Sequence, residues 1–297
     1  MLILGCPGQG SQSKGFLESF IKDVPGFEKY LEDLSLASNR DLIRLGTTAE
    51  EEEIKDTSNA QPLIVAASIA TARTLLSDYK FSGVLGHSVG EFAAAAIAGV
   101  ITDTEALRLV TVRAEAMAEA ATLEKTSMAA ILGGEMSDIS ASLDALGLSI
   151  ANFNGAGQVV AAGSALAITQ LIENPPAKAR VIELKVAGAF HTNYMAPAVA
   201  KLQAAANLIE PNDPTNKLWS NANGELVTSG ASFLQSLVDQ VSRPVRWELC
   251  MASIADEALQ FVELPPAGAL AGLVKRGVQG SKTIAIKLPE ESQKIGA

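Results

Sequence analysis

The stretch Gly86-His87-Ser88-Val89-Gly90 constrains this chain more than any other, because of what stands on either side of it. Residues 81–85 before it read as a short buried strand, and the Ala-rich run FAAAAIAG after it reads as a helix. Gly99 stands where the C′ glycine of that helix is expected. A strand that passes into a helix through GxSxG is the pattern of a nucleophile elbow. The backbone there bends so tightly that small residues must flank the turn, and the serine hydroxyl is left exposed at its top. GxSxG also occurs by chance, and the flanking strand and helix are what favour the elbow here.

The rest of the chain supplies a sheet for such a turn. Residues 2–4 read as a strand running into the Gly-rich loop GCPGQGSQSKG, and 62–76 as an Ala/Ile/Leu helix with Pro62 at its start, where a missing N–H costs nothing. Thr102 and Glu105 have capping-box spacing and open a helix to about residue 121. Strands alternating with helices, with few hairpin signals, indicate α/β architecture. The middle then changes character. Strand 127–133, helix 138–146, strands 148–152 and 159–162, helix 165–172 and strand 180–186 give the order βαββαβ of a ferredoxin-like unit. The expected architecture is a large hydrolase-like α/β domain with a central parallel sheet, residues 1–124 and 189–297, with a small ferredoxin-like domain, 125–188, inserted into it. A length of 297 residues suits two domains at ~150 residues each.

Composition narrows the function classes. A net charge of −10 argues against nucleic acid as the partner. Cys6 and Cys250 form neither a CxxC nor a metal-ligand spacing and read as reduced thiols, so no metal is expected. The N-terminus has no basic region of a signal peptide, and apolar runs reach only about eleven residues against the ~18 of a membrane span, so a cytoplasmic protein without membrane contact is expected. Gly8-x-Gly10 lacks the remaining glycine of a dinucleotide fingerprint, and no Walker lysine follows. That loop still leaves the carboxyl end of a strand, where α/β sheets place their sites, and Gln9 could offer a backbone N–H there.

A serine nucleophile needs a base, and the chain has two histidines. His87 adjoins Ser88, and side chains of adjacent residues diverge on a sharp turn. His191, in GAFHTNYM, is therefore the candidate base by elimination. The N–H of Val89, at the start of the new helix, would face a substrate oxyanion. Arg113 stands on the apolar side of its helix, in line with Ala106, Val110, Met117 and Ala121. A guanidinium there needs either a buried structural partner or a substrate carboxylate held bidentately.

PGQGSQ near the start, GHSVGE, the Arg113 helix, GAFHT, and PVRW followed by LPPAGALAGLVKR together resemble the malonyl-CoA:acyl carrier protein transacylases of dissociated fatty acid synthesis. The likeness is collinear from Leu4 to about Lys287. It departs at LPPAG, where the family often has a GPG-type turn. The resemblance implies an acyltransferase that moves malonyl from malonyl-CoA to the phosphopantetheine thiol of acyl carrier protein by a ping-pong route, without a cofactor. It implies Ser88 as the acylated serine and His191 as the base, with the backbone N–H groups of Gln9 and Val89 as the oxyanion hole. Arg113 matches the arginine that pairs with the malonyl carboxylate, and Met117 and Met128 match methionines lining the acyl pocket. Phe190 matches the residue of malonyl-selective members, and the backbone carbonyl of Gln240 matches the group that orients the histidine. Lys275 and Arg276, in a stretch without Asp or Glu from 264 to 289, are candidates for carrier docking, with Lys178, Arg180 and Lys185 as a second, weaker run.

Two other classes compete with this one. A serine thioesterase or acyl hydrolase of the α/β-hydrolase type orders its triad Ser, Asp, His with the histidine late, whereas 106 residues follow His191. A non-catalytic module that only binds the carrier would be expected to lack Ser88 or His191.

Overall fold

In the computed structural model, which describes residues 1–256 and 259–296, the strands divide between two five-stranded sheets. β1 (Leu2–Cys6) and β2 (Gly83–Gly86) begin the first sheet. β3 (Thr126–Gly133), β4 (Ser149–Gly155), β5 (Gln158–Ser164) and β6 (Ala179–Leu184) make most of the second. β7 (Lys217–Trp219) returns to the first, β8 (Val245–Arg246) joins the second, and β9 (Gln260–Glu263) and β10 (Lys282–Ala285) complete the first.

The first sheet runs β10-β9-β1-β2-β7, every pair parallel. Its central strands are short apolar runs without polar alternation, the pattern of strands covered on both faces. Cys6 pairs with Gly86, so β1 and β2 end level and the loops that leave them emerge side by side. This brings the Gln9 loop to the elbow. The helix Gly90–Ile97 that leaves the elbow is wholly buried and packs against the helices Thr57–Arg73 and Asp103–Ala121.

Thr57–Arg73 starts five residues before Pro62, which corrects the expected start. Asp56 is the cap, its carboxylate accepting from Ser58 N–H at 2.8 Å, so Pro62 lies inside the helix and gives up one backbone bond. The first turn, TSNAQ, is polar in sequence, which hid it. Thr57, Ala60 and Gln61 are nevertheless buried. The Asp103–Ala121 helix has the expected capping box, with both reciprocal bonds between Thr102 and Glu105.

The second sheet runs β6-β3-β5-β4-β8, antiparallel except for the β4–β8 pair. Within the inserted unit this is the 4-1-3-2 order of a ferredoxin-like fold, so the chain is an α/β lobe with a parallel sheet plus a ferredoxin-like lobe. The helices Met136–Leu146 and Ala165–Glu173 cover one face, with Ile139, Leu143, Ile168 and Leu171 packed on Ala129, Ile131 and Val159. Alternation sends Met128, Ala130 and Val160 to the other face, which looks into the cleft between the lobes. A bulge between Ile150 and Asn152 shifts the phase of β4, so that Asn152 and Asn154 also point there. β8 was not expected: two residues of PVRW carry no periodicity.

Gly90 lets the elbow helix approach β1. A Cβ at this position would lie 2.1 Å from the Cys6 carbonyl oxygen, a backbone atom that cannot step aside. Gly90→Ala should therefore destabilise the protein by at least ~1–3 kcal/mol, as overpacking does. Denaturant midpoints of variant and parent measure this, and an unchanged midpoint would contradict the close approach.

Candidate active site

The carboxyl ends of β1 and β2 and the bare face of the second sheet enclose a cleft of about 470 Å³. Ser88 stands at its floor. Its φ of 52° lies in the left-handed region, and the flanking glycines explain how the turn fits. A Cβ on Gly86 would meet Gly90 carbon at 2.1 Å, as one on Gly90 would meet Cys6. His87 also lines the cleft, but its ring is tilted against Trp247, with ring centroids 5.5 Å apart, and its Nε2 is 2.9 Å from Asn154 Oδ1.

His191 approaches from the other side of the cleft, also with a left-handed backbone at φ 62°. Its Nε2 is 2.7 Å from Ser88 Oγ, and its Nδ1 is 2.8 Å from the Gln240 carbonyl oxygen. A carbonyl can only accept, so Nδ1 carries the proton and Nε2 keeps the lone pair that faces Ser88. Burial first, and the nearby Arg113 charge second, pull His191 down to about 3, while the Gln240 carbonyl opposes them. The ring is thus held neutral, as a base requires.

Arg113 is 1% exposed and lines the same cleft. Nη1 donates to Gln61 Oε1 at 2.6 Å and Nη2 to Gln240 Oε1 at 2.9 Å, with Ser88 Oγ at 3.4 Å from Nη2. Its Nε has no hydrogen-bond partner among the described residues. The two side chains that hold it are neutral amides, so the guanidinium is oriented without being neutralised by direct contact, and donors remain for an anion. Phe92 lies under it at 5.5 Å. Burial lowers the guanidinium and raises the nearby Glu91 carboxyl, while the two charges favour each other and the Asn221 N–H and Gln240 amide, both donors, hold the carboxyl toward its ionised form.

Gln9, Val89, Met117, Met128 and Phe190 all border the cleft. Neither Gln9 nor Val89 N–H has a backbone acceptor among the described residues. Arg276 lies at the mouth, while Lys275 beside it points to solvent. β6 enters the cleft by its C-terminal Leu184, which leaves Lys178 and Arg180 at or beyond the far end of the strand, away from the mouth. Gln61, Glu91, Asn154 and Asn221 escaped the sequence reading. For Glu91 a signal existed, an acid inside an Ala-rich buried helix. Asn221, in SNANG, reads as an ordinary turn residue.

No three His, Cys, Asp or Glu side chains cluster to hold a metal among the described residues, and no described helix is long and apolar enough to cross a membrane. The family described as acyl transferase domain matches residues 5–291. The chain belongs to that family. It is 46% identical to the malonyl CoA-acyl carrier protein transacylase of Mycobacterium bovis over 300 residues, covering 99% of each chain. The crystal structure of MCAT from Mycobacterium tuberculosis superposes with a TM-score of 0.95 at 46% identity, over 100% of this chain and 99% of that one. A malonyl-transacylase in complex with its type II PKS acyl-carrier protein superposes at 0.91 with 30% identity, covering 98% and 97%.

For this acyltransferase the depressed His191 has a direct consequence. A base that stays neutral down to about pH 3 loses no reactivity between about pH 7 and 5, where a free imidazole would be half protonated near 6.5. The pH profile of kcat/KM for acylation should be flat on that acid side. An inflection near 6.5 would show that the ring is not held neutral.

Proposed function

We propose that this chain transfers the malonyl group of malonyl-CoA to the phosphopantetheine thiol of acyl carrier protein, through a malonyl ester on Ser88. One observation carries the reading. The Ser88 hydroxyl lies 2.7 Å from a neutral imidazole nitrogen and 3.4 Å from a buried guanidinium with donors to spare. A nucleophile, its base and an anchor for a carboxylate one carbon from the reacting carbonyl thus meet at one point. The M. bovis relative's name and the carrier complex support the same substrates.

In the first half-reaction the Ser88 proton passes to His191 Nε2 as Oγ bonds to the thioester carbon. The Val89 and Gln9 N–H groups are proposed to hold the oxyanion, preorganised donors being worth most where water is excluded. The C–S bond then breaks, and His191 returns the proton to the departing CoA sulfur. In the second half-reaction the pantetheine thiol gives its proton to His191, attacks the ester carbonyl, and Ser88 leaves with the proton restored. A thioester is already activated, so the route needs no cofactor. Arg113 holds the malonyl carboxylate, Met117 and Met128 line the acyl pocket, and Phe190 leaves little room for an α-methyl branch. The Gln240 carbonyl keeps the base in one tautomer. Lys275 and Arg276 are proposed to meet the carrier at the cleft mouth, with residues 125–188 as the small domain on its other side. Both cysteines are free and buried, which suits the cytoplasm.

Incubation with malonyl-CoA should add one malonyl group, mapped to Ser88 by peptide mass. His191→Ala should slow this acylation roughly 10²–10⁴-fold. An ester on another serine, or release of free malonate in place of transfer to added carrier, would sink the reading.

Arg113→Ala tests substrate choice separately. An uncompensated buried charge costs ~3–5 kcal/mol, an upper bound here because Gln61 and Gln240 already take two donors. The variant should lose malonyl transfer while keeping or gaining acetyl transfer. Unchanged malonyl kinetics would assign Arg113 to structure alone.

A further inference from the structure

Glu91, the second residue of the elbow helix, is 1% exposed in an alanine-rich core, where a carboxylate is costly unless donors meet it. Two donors do. The Asn221 N–H reaches Oε1 at 2.7 Å, and the Gln240 side-chain amide reaches Oε2. Each of these residues then grips the elbow. Asn221 Oδ1 accepts from Ser88 N–H and its Nδ2 donates to the Gly86 carbonyl, both at 2.8 Å, while Gln240 Nε2 donates to the Ser88 carbonyl at 3.0 Å. Gln240 reaches further still, through Oε1 to Arg113 at 2.9 Å and through its backbone carbonyl to His191 at 2.8 Å. The Glu91 carboxylate bonds to none of the three side chains it thereby connects.

We propose that Glu91 is a positioning residue that locks the Gln240 amide in one orientation and so aims Ser88 and Arg113 together. The proposal rests on the acyl-transfer reading above. An ionised carboxylate only accepts and a guanidinium only donates, so an amide between them has one arrangement that satisfies both: NH₂ toward Glu91, oxygen toward Arg113. That arrangement also supplies the N–H that holds the Ser88 carbonyl. The left-handed Ser88 backbone is kept by bonds at both its N–H and its C=O, and strained backbone persists where the surroundings over-determine it.

Glu91→Gln tests this with nearly unchanged shape. A glutamine offers one acceptor group and one donor group, so it cannot receive both Asn221 and Gln240. The Gln240 amide must turn, presenting NH₂ to Arg113. Acylation kinetics per folded molecule should then show malonyl kcat/KM down roughly 10²-fold, the scale of a small misplacement, with acetyl kcat/KM falling much less. Gln240→Met keeps the backbone carbonyl that serves His191 but cuts the link, and should reproduce the lost preference for malonyl over acetyl. Wild-type rates and preference in E91Q, or equal loss for both acyl groups with a lowered melting temperature, would overturn the proposal. If E91Q does not fold, a wild-type preference in Q240M would overturn it as well. Absence of malonylation in the parent protein would instead fail the acyl-transfer reading itself.

Discussion

The left-handed backbone of Ser88 is the constraint from which the rest of the site follows. A residue with a Cβ is held there at an expense of ~1–3 kcal/mol, which the surroundings must supply. The return is geometric. The turn presents the hydroxyl to the cleft and leaves the next N–H, that of Val89, without a backbone acceptor among the described residues. It also brings helix and strand so close that only glycine fits at 86 and 90. His191 meets Ser88 with a left-handed backbone of its own, so both partners of the 2.7 Å contact are fixed by the main chain as well as by rotamers.

Electrostatics in the cleft are settled by what is absent at Nδ1. A carbonyl, unlike a carboxylate, fixes the tautomer without bringing a negative charge. With burial and a guanidinium nearby, the imidazole stays neutral and weakly basic. The negative charge is placed instead on Glu91, two bonds away through Gln240, where it balances Arg113 and leaves the donors of Arg113 facing the cleft. Orientation and charge compensation are thus assigned to different groups.

Much of this was legible in the sequence, for identifiable reasons. The elbow announces itself because small residues are compulsory beside it, and two histidines leave little choice of base. The strand read over residues 127–133 and the βαββαβ order pointed to the second sheet. Other features carry no such mark. Asn154 and Asn221 act through single amides in segments that look like edge or turn, and no spacing rule singles them out. Asn152 and Asn154 reach the cleft through a bulge, which breaks the alternation a reader relies on. The start of the Thr57–Arg73 helix was hidden because its first turn is polar yet buried, so proline seemed the better boundary. Gln240 was visible only as a backbone carbonyl by resemblance. Its side chain, bonded to Ser88, Glu91 and Arg113, could be found only in three dimensions.

The pairing of β8 with β4 gives residues 240–246 two attachments. At one end the Gln240 carbonyl holds the imidazole. At the other, Asn152 pairs with Val245 and Phe153 with Arg246, whose guanidinium lies 4.7 Å over the Phe153 ring. Seven residues leave little slack between these anchors. A change in the gap between the lobes would pull on the segment that steadies the proton acceptor. The two attachments tie the width of the cleft to the alignment of the base.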